Sequence, residues 1–177
     1  YADSPWRGRW ETEGGGVLIN QAIHTLDLML HLAGDVESVS ATLATVGHRA
    51  IEVEDVASVS MRFADGAVGN LFATTCSYPG TDVRIEIVGT KGSALIEADA
   101  LARFSSINGE ALVVEDDRYE SLVAKPYYGA SHRKLIEDFI EAIIENRPPF
   151  VTGEEGKRSI DVLNTIYREF RRQKASA

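Results

Sequence analysis

The tightest constraint on this chain is a set of short turns. Ala64-Asp65-Gly66, Gly89-Thr90-Lys91-Gly92 and Asn108-Gly109 each separate two runs in which apolar and polar residues alternate. Alternation with a period of two marks a strand with one buried face, and a turn this short joins antiparallel neighbours. The strands predicted in this way are 36–46, 55–63, 67–75, 83–88, 93–97, 102–107 and 111–115. Along 55–63, Ala57, Val59, Met61 and Phe63 share one face, and Val56, Ser58, Ser60 and Arg62 share the other. The expected fold class is therefore α+β, an open, largely antiparallel sheet with helices on its apolar face. The opposite face is small and polar (Ser58, Ser60, Asn70, Thr74) and low in Lys and Glu, so it is expected to be free for oligomer contact.

Helical periods flank the strands. Glu13 to Gly34 starts at three glycines, ends at a fourth, and predicts one helix of about five turns. Ile19, Ala22, Ile23, Leu26, Met29, Leu30 and Ala33 form its apolar stripe. Asn20, His24, Asp27 and His31, at steps of four, three and four, form a polar row within about 60° of one line. On a helix that reads as buried, such a row needs partners, because an unpaired buried polar group costs about 1–3 kcal/mol. The row is the candidate site. Near the C-terminus, Ser131 is a predicted N-cap for a stripe of Ile136, Phe139, Ile140, Ile143 and Ile144, stopped by Arg147-Pro148-Pro149. Thr152 and Glu155 have capping-box spacing for a last helix reaching about Arg172.

Histidine exchanges protons near neutral pH, and Asn20 and Asp27 lie one turn to either side of His24. That arrangement suits a general acid/base with a fixed ring; a core histidine satisfied by its own helix has the same pattern. Metal binding by His24, Asp27 and His31 is geometrically conceivable, but three ligands from one helix rarely converge, and no metal is expected. Gly14-Gly15-Gly16 at a helix start could cradle an anion. No strand-like run precedes it, so it is not a dinucleotide fingerprint. No Ser or Cys sits in a nucleophile turn. The aromatic, Arg-rich stretch 1–13 is either a rim where Arg7 or Arg9 meets an anionic or polyhydroxyl ligand, or a loop whose Trp rings plug the core.

The 177 residues suffice for one core, and the net charge of -9 argues against a nucleic-acid surface. The basic tail (Arg168, Arg171, Arg172, Lys174) ends a helix, where cations suit the dipole. A single cysteine, Cys76, cannot form an internal disulfide and points to a reducing, cytoplasmic setting; no run is apolar enough for a membrane span. The first residues, Tyr-Ala-Asp, already read like protein interior, so a preceding part is expected.

Three blocks, WRGRWETEGGGVLINQAIHTLDLMLHLAG, GTKGSALIE and HRKLIEDFIEAIIENRPPFVTGEEGKRSIDVLNTIYREF, resemble in order the C-terminal domain of the Gfo/Idh/MocA family. The resemblance implies an NAD(P)-dependent oxidoreductase acting on a sugar, nucleotide-sugar or cyclitol hydroxyl or ketone. In that reading residues 1–177 are the substrate and oligomerisation domain, inactive alone. NAD or NADP is bound mainly by a Rossmann domain on the N-terminal side, which also contributes a lysine. The family pattern places an Asp four residues before the acid/base His; this chain has Asn20 and His24 there, which resembles some nucleotide-sugar members. The departure puts a relay with an ionised partner in doubt and leaves Asn20 as an orienting group. Arg7, Asp27, Tyr127, Tyr128 and His132 are implied as substrate contacts. The implied partners are a small polyol or sugar and further copies of the chain through the sheet face, with neither nucleic acid nor membrane. From another class, a non-catalytic sheet module for assembly or ligand holding fits the same strands.

Overall fold

The computed structural model of the chain describes residues 4–98, 100–110, 112 and 131–176. They form two compact units, Tyr1–Thr81 with Glu154–Ala177, and Asp82–Gly153. In the first, β1 (Val36–Ala44), β2 (Val56–Phe63) and β3 (Val68–Thr74) make an antiparallel sheet in that order. The register sets Ala41 opposite Val59 and Val59 opposite Leu71, so the inward residues of all three strands line up. Ala57, Val59, Met61 and Phe63 are buried, as the alternation predicts. They pack with Leu26 and Leu30 of α2 (Ile23–Ala33) and with Leu163, Ile166 and Tyr167 of α4 (Gly153–Ser176). Helices therefore cover one sheet face. The other face exposes Ser58, Ser60 and Asn70, and also Val68 (76% exposed) and Phe72 (67%).

The link from β1 to β2 is organised by one carboxylate. Asp55, fully buried, accepts N–H bonds from Val46 (2.7 Å), Gly47 (2.8 Å) and His48 (2.7 Å). Its own N–H donates to Ala44 and its carbonyl accepts from Thr75, so one residue ties the ends of all three strands. Burial pushes the Asp55 carboxyl up, but the bonds from His48, Val46 and Gly47, with the Cys76 thiol, outweigh it and hold the group below its usual value. A depressed folded pKa contributes stability that is full above the unfolded value of about 3.9 and disappears as pH falls through the folded value. Asp55→Asn is accordingly expected to cost about 1–3 kcal/mol at neutral pH, because its NH₂ faces N–H donors. Urea titrations should show that deficit shrinking below about pH 4; a deficit constant down to pH 2 would remove the charge from the account.

In the second unit, β4 (Arg84–Gly89), β5 (Gly92–Glu97) and β6 (Ala100–Ser106) form another antiparallel sheet. The α+β class and open antiparallel pairing are as expected, but the strands divide into two sheets of three. Between β3 and β4 the chain carries Pro79 and Gly80, which break a ladder. Strand 111–115 falls almost wholly outside the described residues. α3 (Ser131–Glu145) ends where Arg147 reaches back to Asp138 (2.9 Å), Glu141 (3.6 Å) and Glu145 (2.8 Å). Its stripe of Ile136, Phe139, Ile140, Ile143 and Ile144 is exposed, with Ala142 buried. Among the described residues no helix is long and apolar enough to cross a membrane.

Candidate active site

The single five-turn helix expected over Glu13–Gly34 is broken in three. α1 (Trp10–Glu13) is one turn, closed by Gly14 in the left-handed region (φ 83°). Leu18–Ala22 then winds as a π-helix, and α2 follows directly. A π segment interrupts the regular bonding of a helix and is found frequently at functional sites. Sequence periodicity does not show it, since the apolar stripe is kept: Ala22, Leu26 and Leu30 are buried, and Ile19, Ile23, Met29 and Ala33 partly so.

The cause lies at the glycines. The site where Gly14-Gly15-Gly16 could cradle an external anion is filled from within by Glu54, which is 3% exposed. Its Oε1 accepts N–H bonds from Gly16 (3.0 Å) and Leu18 (3.1 Å) and the hydroxyl of Tyr167 (2.8 Å). Its backbone carbonyl accepts the N–H of Val17 (2.9 Å). The helix start is thus satisfied by a carboxylate, the charge a helix N-terminus favours. A Cβ on Gly15 would lie 2.1 Å from the Tyr167 hydroxyl, and one on Gly16 would lie 1.8 Å from the Glu54 carbonyl oxygen. Glycine is required at both. Burial, then the Glu54 charge beside it, push the Tyr167 phenol far up, so it stays protonated and donates. Glu54 and Tyr167 carry no local signal, because the bonds to Glu54 span 36 residues or more.

The polar row faces solvent and not the core. His24, Asp27 and His31 are exposed and Asn20 is half-buried, so the expected burial cost is absent. The row is also partnered in ways that periodicity does not reveal. Asn20 Nδ2 donates to Glu13 Oε1 (2.8 Å) and to the Gly16 carbonyl (3.2 Å). Asp27 Oδ1 accepts the hydroxyl of buried Ser159 on α4. His24 therefore stands on the exposed face between two residues that other groups hold in place. Glu13 also accounts for Asn at position 20, because an Asp there would set two carboxylates against each other. Asn20→Asp is expected to cost about 1 kcal/mol, recovered when combined with Glu13→Gln. Equal urea midpoints for Asn20→Asp and the parent chain would contradict this.

The aromatic loop packs on the core through one of its two Trp rings. Trp10 is half-buried on the core, edge-on to Tyr167 (5.4 Å), with its indole N–H on the Glu52 carbonyl (3.0 Å). Trp6 is half exposed, with the exposed Arg7 guanidinium 5.2 Å from its ring centre. The basic tail is spent on its own fold. Arg168 donates to Thr165, Arg171 lies over Trp10, Arg172 pairs with Glu169 and Lys174 lies over Phe170. His132 is exposed on α3 in the second unit, and Tyr127 and Tyr128 lie outside the described residues.

The described residues do not fit a dinucleotide. Their strands pair antiparallel, and the one glycine-rich helix start already holds Glu54.

Comparison with known proteins agrees with this geometry. Residues 1–95 match the GFO/IDH/MocA C-terminal domain. The chain is 29% identical over 150 residues to the myo-inositol 2-dehydrogenase of Thermotoga maritima, covering 82% of this chain and 44% of that protein. It is 34% identical over 165 residues to the scyllo-inositol 2-dehydrogenase (NAD(+)) of Bacillus subtilis, covering 89% and 46%. Among solved structures, the WlbA dehydrogenase of Bordetella pertussis in complex with NADH and UDP-GlcNAcA superposes with a TM-score of 0.77 at 29% identity. That match covers 98% of this chain and 48% of the WlbA chain. The chain thus spans less than half the length of these relatives, and it belongs to the Gfo/Idh/MocA family through that family's C-terminal domain.

Proposed function

We propose that this chain is the substrate-side half of an NAD(P)-dependent dehydrogenase acting on a hydroxyl or ketone of a sugar, nucleotide sugar or cyclitol. The observation that carries the reading is His24, exposed on α2 just after the π segment of a helix start locked by Glu54. Likeness to inositol dehydrogenases and to a UDP-GlcNAcA-bound dehydrogenase supports the substrate class. His24 takes the proton from the substrate hydroxyl, or returns it to the ketone. Asn20, its amide N–H committed to Glu13 and Gly16, offers Oδ1 as a neutral orienting acceptor. Asp27, held by Ser159, and Arg7 on the exposed loop bind further hydroxyls or charge. A nicotinamide held by a separate dinucleotide-binding domain in the full-length cytoplasmic protein supplies the hydride exchange.

The test is an assay of the full-length protein with NAD⁺ and NADP⁺ against inositols, free sugars and UDP-sugars. Reduced cofactor is expected with at least one of them, and none from residues 1–177 alone. A full-length protein without a dinucleotide-binding domain would overturn the reading.

A second role rests on the uncovered face of β1, β2 and β3, where Val68 and Phe72 stand exposed among serines. Burial against a second copy removes that apolar area from water. The chain is expected to self-associate, and Phe72→Glu to weaken the assembly with folding intact. A clean monomer of the parent chain at tens of micromolar by sedimentation would count against the proposal.

A further inference from the structure

Away from the polar row, one group of metal-ligating side chains assembles from three separate stretches. One ligand atom each from His48, Asp55 and Cys76 lies within 4.8 Å of the others. His48 sits in the β1–β2 connection, Asp55 just before β2, and Cys76 just beyond β3. From these placements we propose that His48, Asp55 and Cys76 form a binding site for a zinc-class divalent cation.

The donor set selects the ion. Sulfur, imidazole nitrogen and carboxylate oxygen together suit Zn²⁺ or Co²⁺ and not the all-oxygen preference of Mg²⁺ and Ca²⁺. Tetrahedral zinc bonds of about 2.0–2.3 Å place neighbouring ligand atoms roughly 3.3–3.8 Å apart. From 4.8 Å, closure requires shifts on the order of 1 Å.

Asp55 is the fixed member. Its Oδ2 accepts from Gly47 and His48 while Oδ1 accepts from Val46, so Oδ1 keeps a lone pair for a cation. Cys76 lies exposed at the strand end, and His48 half-buried in the loop beside it. The approach of the sulfur depends on glycine at the neighbouring position, since a Cβ on Gly47 would lie 2.4 Å from Cys76 Sγ. Three protein ligands leave a fourth position for water on the exposed Cys76 side. The ion would pin the β1–β2 connection to the end of β3.

The chain contains a single cysteine, so thiol labelling reads this site alone. The 177-residue chain is reacted with a disulfide reagent with and without a small excess of Zn²⁺, beside a Co²⁺ titration followed by absorption. Zn²⁺ is expected to slow Cys76 labelling at least tenfold, and Co²⁺ to give a thiolate charge-transfer band saturating at one ion per chain. In His48→Gln the protection is expected to disappear, and in Cys76→Ser the band, with the circular dichroism spectrum of each variant unchanged. Labelling that Zn²⁺ does not slow, or protection that survives in His48→Gln, would overturn the proposal.

Discussion

Gly16→Ala is expected to lower the unfolding free energy of the unit holding β1, β2 and β3 by about 3 kcal/mol or more, or to prevent its folding. The added carbon would lie 1.8 Å from the Glu54 carbonyl oxygen and 3.0 Å from the Glu54 nitrogen, backbone atoms with no rotamer to escape into. Moving them would loosen the Val17 N–H bond and the carboxylate that holds Gly16 and Leu18. Gly156→Ala within α4 is the control, since a Cβ there meets nothing within 4 Å. It is expected to be neutral, or to stabilise by up to about 1 kcal/mol through helix propensity. Urea melts of both variants separate the two effects. A Gly16→Ala midpoint equal to that of the parent chain would show that the helix start is not the close-packed joint described above.

The second large effect is chemical. If the full-length protein acts as proposed, His24→Ala is expected to lower its kcat by about 10² or more, the range typical for loss of a positioned general acid/base. Because His24 is exposed, the melting temperature should stay within a degree or two of the parent protein's. A variant that turns over normally would remove His24 from the mechanism and leave the family assignment untouched.

The sheet was legible in the sequence because its signals are local. Ala57, Val59, Met61 and Phe63 alternate within one strand, and Ala64-Asp65-Gly66 fixes its partner, so pattern and turn together set face and register. The helix was legible only as an apolar stripe. Its break into α1, a π segment and α2 is dictated by Glu54 and Tyr167, which meet the glycines only after folding. For the same reason the polar row was read as buried. A stripe shows which side faces the core, and His24, Asp27 and His31 lie on the exposed side. Asp27 and Ser159 are 132 residues apart and share no period, and His48, Asp55 and Cys76 meet only because Asp55 joins three strand ends.

Glu54 also bears on which ligands the helix can attract. A free helix N-terminus draws phosphate and carboxylate groups through its unpaired N–H donors and its dipole. Here that attraction is consumed internally, since Gly16 and Leu18 already point at a carboxylate. The described part of the chain therefore has no backbone cradle at this helix for a diphosphate, and an anionic substrate would have to be met by side-chain cations such as Arg7. Neutral cyclitols and sugars make no such demand. Preference between the two would then rest on exposed side chains of the loop such as Arg7, while Trp10 of the same loop stays committed to the core.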